Sequence, residues 1–205
     1  MRILKHAGAL DSVLEKARQF TCDICKVSDR VKLVSPVAPP LNLPPLVSIS
    51  MDVKFLPGWL PDQRIRALNI VCETSSLQQV RPFQGNEDGK TLRSLYHGGW
   101  TKYYGCPRFA KMDAGSANLR EEFLMGLERD GTTPLDTPAD QHEQLGKAEV
   151  RGQHFDRRLV RVLEQSQPTS WEEWLECVDL AVEAHNMLFN VHGASPNQIV
   201  LGRES

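Results

Sequence analysis

Short apolar runs alternate along this chain with apolar positions at helical spacing, and the changes of period predict its elements. Leu10, Val13, Leu14 and Ala17 recur at roughly helical intervals, which predicts a helix over 11–20 starting near Asp11 or Ser12. Runs at 46–55, 64–72 and 77–83 read as three buried strands, with Pro57-Gly58 and Pro61-Asp62 turning the chain between the first two. Leu92, Leu95 and Trp100 predict a helix over 87–104, and 108–113 a fourth strand. Leu119, Phe123, Leu124 and Leu127 mark the inner face of a helix over 116–130 with Ser116 as its N-cap. Residues 131–140 read as a loop and 141–165 as a long helix. Pro168-Thr169-Ser170 then caps a last helix over 171–190, with Trp174, Leu175, Val178, Ala181 and Val182 facing the core. Three strands in succession, then helix, strand and helices, predict an α/β protein: a mixed sheet with helices on its faces.

Composition adds an organisation to this pattern. The 205 residues suffice for one hydrophobic core and a small appendage. Prolines 36, 39, 40, 44 and 45 make 34–45 an extended linker between a first unit at 1–33 and a core at 46–205. A net charge of −2 argues against gripping nucleic acid by bulk charge. No apolar run approaches the roughly 20 residues of a membrane helix, so no membrane span is expected. Met1-Arg2-Ile3-Leu4-Lys5 has no apolar segment of signal-peptide type behind it. Five cysteines, an odd number, suit reduced thiols inside a cell better than a disulfide framework. P-loop, dinucleotide and nucleophile-elbow motifs are all missing.

Three acids carry the candidate chemistry. Asp52 stands in the apolar run 46–55, Asp113 ends the fourth strand, and Glu149 opens the long helix, with 35 residues between the last two. Carboxylates gathered at one point repel one another, and a divalent cation removes that cost. Mg²⁺ takes oxygen ligands, and a pair of such ions clamps both oxygens of a phosphoryl displacement. Spacing alone is weak ground, because 26 acidic residues always supply some trio and most are solvated or cap helices. Asp52 is the best placed, since an acid amid Val, Ile, Met and Phe needs a partner or a metal. Beyond Glu149, Lys147, Arg151, His154, Arg158 and Arg161 form a basic stripe that suits phosphate contacts. A solvated helix face, diluted by Glu143, Asp156 and Glu164, explains the stripe equally well.

The order strand-Asp52, strand-Asp113-Ala-Gly-Ser-Ala-Asn118, then Gln141-His-Glu-Gln-Leu-Gly-Lys-Ala-Glu149 resembles the catalytic core of retroviral and retrotransposon integrases. Ala184-His185-Asn186 and His192-Gly-Ala-Ser-Pro196-Asn-Gln-Ile-Val-Leu-Gly-Arg203 are similar to the segment that closes this core in long-terminal-repeat retrotransposon polyproteins. The resemblance spans roughly 46–203. It implies a ribonuclease-H-like fold, with Asp52, Asp113 and Glu149 as both catalytic and metal-binding residues for Mg²⁺ or Mn²⁺. The implied reaction is DNA integration by polynucleotidyl transfer: 3′-end processing, then strand transfer. DNA is the implied partner, a homo-oligomer the implied assembly, and cytoplasm to nucleus the implied location. One departure is Ala114, where relatives often carry Asn. A catalytically inactive remnant binding nucleic acid or protein, and a nuclease on the same scaffold, stay open, because fold does not settle reaction.

Cys22-x-x-Cys25 supplies two of the four ligands a structural zinc needs. In the integrases that the chain resembles, a small His-His-Cys-Cys zinc module precedes the core. Only His6 lies upstream here, so the chain is expected to begin inside that module and to hold no zinc tightly by itself. Cys72, Cys106 and Cys177 read as core filler, and Trp171 and Trp174 as helix packing.

Overall fold

The computed structural model describes residues 8–20, 43–112, 117–136, 146–191 and 193–202, with backbone alone at 117–120, 136 and 146–151. Cys22, Cys25, most of the predicted linker, the predicted cap Ser116 and the predicted helix start at Gln141 lie outside the described residues. The chain falls into two units, Met1–Val34 and Ser35–Ser205, each taken by itself. In the first, helix α1 (Asp11–Gln19) buries Leu14 and leaves Leu10, Val13 and Phe20 exposed.

The second unit is built on a five-stranded sheet of order β3-β2-β1-β4-β5. Strand β1 (Ser48–Pro57) is central, antiparallel to β2 (Arg64–Cys72), which pairs antiparallel with β3 (Gln78–Phe83). On its other side β1 runs parallel to β4 (Phe109–Met112), and β4 parallel to β5 (Thr133–Asp136). Alternation along the strands sends two sets of side chains to two layers. Ile49, Met51, Leu68 and Ile70 enter one core with Leu92 and Tyr96 of α2 (Gly89–Tyr96), Trp100, and Phe123 and Leu127 of α4 (Ala117–Arg129). Leu56, Ile65, Ala67 and Val80 enter the other, under Phe155 and Leu159 of α5 (Gly146–Ser166) and Trp174, Val178 and Ala181 of α6 (Trp171–Leu188). Each large side chain so buried contributes about 1.5–3 kcal/mol. Trp174 also donates its Nε1–H to the Pro57 carbonyl at 3.0 Å, so α6 is tied to the end of β1.

Several elements depart from the sequence pattern. The predicted helix 87–104 is three pieces: α2 with Asp88 as N-cap, a π-helical segment His97–Thr101, and the short α3 (Lys102–Tyr104). Gly98 and Gly99 tolerate the widened turn. A Cβ on Gly99 would lie 2.7 Å from Cγ of Arg81, so the close approach to β3 requires glycine. Part of the predicted loop 131–140 is instead β5. Thr133 donates its N–H to the Arg108 carbonyl at 2.8 Å, which turns the neighbouring Pro134 nitrogen away from β4, to a side where no described strand pairs and a missing N–H breaks no described ladder. Pro82 is placed the same way on β3: Gln78 turns its backbone outward to Asn186, and alternation gives Pro82 that side. Cys106 is exposed, not core, because Gly105 (φ 78°) turns the chain out before it; Cys72 and Cys177 are buried. The helix α7 (Pro196–Leu201), not expected from periodicity, is closed by a Ser195–Gln198 capping box. No helix among the described residues is long and apolar enough to cross a membrane.

Candidate active site

The stretch Ser48-Ile-Ser-Met-Asp-Val-Lys54 places every second residue, all polar, on the face of β1 that turns towards α5. Asp52 is partly buried there and stands opposite Asn69 of β2. Asn69 is 1% exposed and accepts from Gln78 Nε2 at 2.8 Å, while Gln78 exchanges two bonds with the Asn186 side chain through its own backbone. A row of amides therefore runs from α6 across β3 and β2 to the partner of Asp52. Asn69 Nδ2 is buried with no hydrogen-bond partner among the described residues, and turning both amides round leaves another atom of Asn69 in that position.

Helix α5 crosses this face at Gly152. A Cβ on Gly152 would lie 3.1 Å from Lys54 Nζ and 3.8 Å from Asn69 Nδ2, so glycine lets the helix approach. Lys54 donates to the Gly152 carbonyl at 2.8 Å and lies 2.6 Å from Asp156 Oδ1, with its ammonium over the Phe155 ring at 5.9 Å. Burial pushes the Asp156 carboxyl above its ordinary value, a shift that Lys54 only partly offsets. Glu149 lies on the same helix, three residues before Gly152, less than one turn.

A second ion pair lies on the other side of Asp52. Ser50, two residues back on β1, pairs with Lys111 of β4. Ser50 Oγ donates to Glu73, and Lys111 Nζ lies 3.5 Å from Glu73 Oε2, with the Glu73 side chain almost wholly buried. Asp52 is thus bracketed by two lysines, each held by its own carboxylate. Periodicity read as a buried strand misses Lys54, Lys111 and Glu73; the alternation of polar residues in Ser48–Lys54 puts Lys54 on the Asp52 face, while nothing local marks Lys111 or Glu73.

Of the predicted triad, only the side chain of Asp52 is described. Asp113 lies outside the described residues, and Glu149 is placed by its helix alone. Among the described residues no group of three or more His, Cys, Asp or Glu could hold a metal ion. The predicted donors are all carboxylate oxygens, the chemistry of Mg²⁺ and Mn²⁺, and the half-buried Asp52 fits one arm of such a set. In the basic stripe, the side chains of Lys147 and Arg151 lie outside the described residues. His154, Arg158 and Arg161 are partly buried, and the His154 ring lies 6.5 Å from that of Phe189.

No protein-family model matches the chain, and no curated protein matches it in sequence. Solved structures do match. The HTLV-2 integrase catalytic core domain in complex with magnesium, in its dimeric form, superposes with a TM-score of 0.63 at 16% identity, over 78% of this chain and 99% of that one. A chain of the simian T-cell lymphotropic virus intasome in complex with PP2A regulatory subunit B56 gamma gives 0.68 at 14% identity, over 97% and 67%. The catalytic core domain of BIV integrase gives 0.57 at 16%, over 76% and 94%. At these identities the likeness is one of fold: the chain has the ribonuclease-H-like architecture of retroviral integrase catalytic cores.

Proposed function

We propose that this chain is a polynucleotidyl transferase of integrase type, acting on DNA through Asp52, Asp113 and Glu149. The observation that carries the reading is the crossing of α5 over the β1 face at Asn69, the register partner of Asp52, with Glu149 less than a turn away. The register of β1 with β4 adds support: its last described pair is Met51 with Met112, and the next residues in sequence are Asp52 and Asp113. The three carboxylates would hold Mg²⁺ or Mn²⁺, which when bound supplies charge neutralisation at the reacting phosphodiester. The chain's own part is positional. Rigid strand and helix hold the acids, and Lys54 fixes the helix to the strand. The reaction is an in-line displacement at phosphorus, first by water at a DNA 3′ end and then by the freed 3′-hydroxyl on target DNA. The stripe Lys147, Arg151, His154, Arg158 and Arg161 would lie along the DNA backbone. The segments 184–186 and 192–203 favour a long-terminal-repeat retrotransposon origin, and the resemblance as a whole favours work as a homo-oligomer that passes from cytoplasm to nucleus.

Oligonucleotide strand transfer with Mg²⁺ or Mn²⁺ tests this. Joined products should form with the unaltered chain and fall by about two orders of magnitude or more in Asp52→Asn. Equal activity in Asp52→Asn overturns the assignment. Cut ends without joined strands would make the chain a nuclease on the same scaffold.

A further inference from the structure

On the other layer of the sheet, away from Asp52, α2 and the π-helical segment floor a concavity of about 620 Å³. Lys90, Arg93, His97 and Thr101 line it at steps of three, four and four residues, one face of a helical run. Cys106 and Asp130 close its sides. Asp130 engages Arg93, with Nη2 at 3.0 and 3.3 Å from its two oxygens. Lys90 and His97 are exposed on either side of that pair and form no ion pair among the described residues. Cation and hydrogen-bond donors therefore outnumber the single carboxylate. The π-helical turn interrupts α2 at this wall, and such turns concentrate at functional sites.

We propose that this concavity binds a phosphate group, from a nucleic-acid backbone or from a free polyphosphate. The polar tips in the lining are an ammonium, a guanidinium, an imidazole and hydroxyls, against a single carboxylate, and that excess of donors suits an oxyanion. Its volume admits more than one phosphate. Lys90 supplies a charge-assisted bond and the His97 ring a neutral one, while Arg93, held by Asp130, adds its charge at the wall. The site is independent of the reading of Asp52.

Cys106 is a reporter inside the concavity, since it is exposed while Cys72 and Cys177 are buried. Its alkylation by iodoacetamide, followed on the Cys106 peptide by mass spectrometry, is measured with inorganic pyrophosphate, with a DNA duplex, and with potassium chloride at matched ionic strength. One phosphate source or both should slow labelling several-fold relative to chloride, and the arm that protects identifies the source. Protection should vanish in Lys90→Glu with His97→Glu and in the milder Lys90→Gln with His97→Gln, while Cys72 and Cys177 stay unlabelled as a check on folding. It should persist in Asp52→Asn. No protection by either source, equal protection in the variants, or its loss in Asp52→Asn each overturns the proposal.

Discussion

Lys54 reaches from the central strand to Asp156 on α5, its Nζ 2.6 Å from Oδ1, and the same ammonium caps the Gly152 carbonyl at 2.8 Å. One side chain thus joins the strand that carries Asp52 to the helix that carries Glu149. Lys54 is 12% exposed and Asp156 38%, so the pair is screened on one side only. Lys54→Met is expected to lower stability by about 1–2 kcal/mol, and a double-mutant cycle with Asp156→Asn should give a coupling of about 1 kcal/mol. Chemical denaturation measures both. Purely additive losses would mean that the pair does not hold α5 to β1.

Gly152 should depend on what Lys54 does. Alanine in a helix interior gains about 1 kcal/mol over glycine, but here its Cβ would crowd the Lys54 ammonium at 3.1 Å. Gly152→Ala should therefore stabilise the Lys54→Met chain more than the unaltered one, as read from the two denaturation midpoints. The same gain in both backgrounds would show that the ammonium yields freely.

Asp156 predicts a pH dependence opposite in sign to that of the helix caps. Its folded pKa is raised, so between the ordinary carboxylate value and the raised one the folded state holds more protons than the unfolded. Its contribution therefore falls as pH rises through that window. The thermal midpoint of the unaltered chain relative to Asp156→Asn should drop from about pH 4 upward and then level off. Asp88 caps α2, and Glu173 in the first turn of α6 reaches back to the residue before its Ser170 cap; both have lowered pKa values, through hydrogen bonds led by the backbone N–H of Thr91 and of Thr169. Their contribution is present above the ordinary carboxylate range and is lost on acidification. Asp88→Asn, which keeps a capping oxygen, should flatten that acid limb.

Asn186 accepts from the Gln78 N–H at 2.9 Å and donates to the Gln78 carbonyl at 2.8 Å. Asn186→Ala would leave two buried backbone groups without partners, at a cost of about 2–3 kcal/mol. Faster hydrogen exchange at Gln78, measured beside β1 amides as a control, should accompany the loss. Unchanged exchange would show that water replaces the side chain without penalty.

The first three strands and the helices α4 to α6 were readable in the sequence because each buries a continuous run or a helical stripe. Strand β5 was not, because Thr133-Pro134-Leu135-Asp136 carries turn residues, and only its place at the sheet edge makes the proline acceptable. The π-helical segment was hidden for a similar reason: His97-Gly-Gly-Trp-Thr101 keeps Trp100 in the core whether or not the turn is widened. At the site, Asp52 stood out as an acid in an apolar run. Lys54, Lys111 and Glu73 did not, since their pairing joins strands and helices distant in the chain. Periodicity within one element carries no record of such contacts.

The two outermost strands have one more property in common. Pro82 on β3 and Pro134 on β5 both present their nitrogens to the outside, and Gln78 has its outward amide occupied by Asn186. A foreign strand approaching either border meets missing donors where a ladder would have to begin. Among the described residues, both borders of the sheet are therefore poor templates for a further strand.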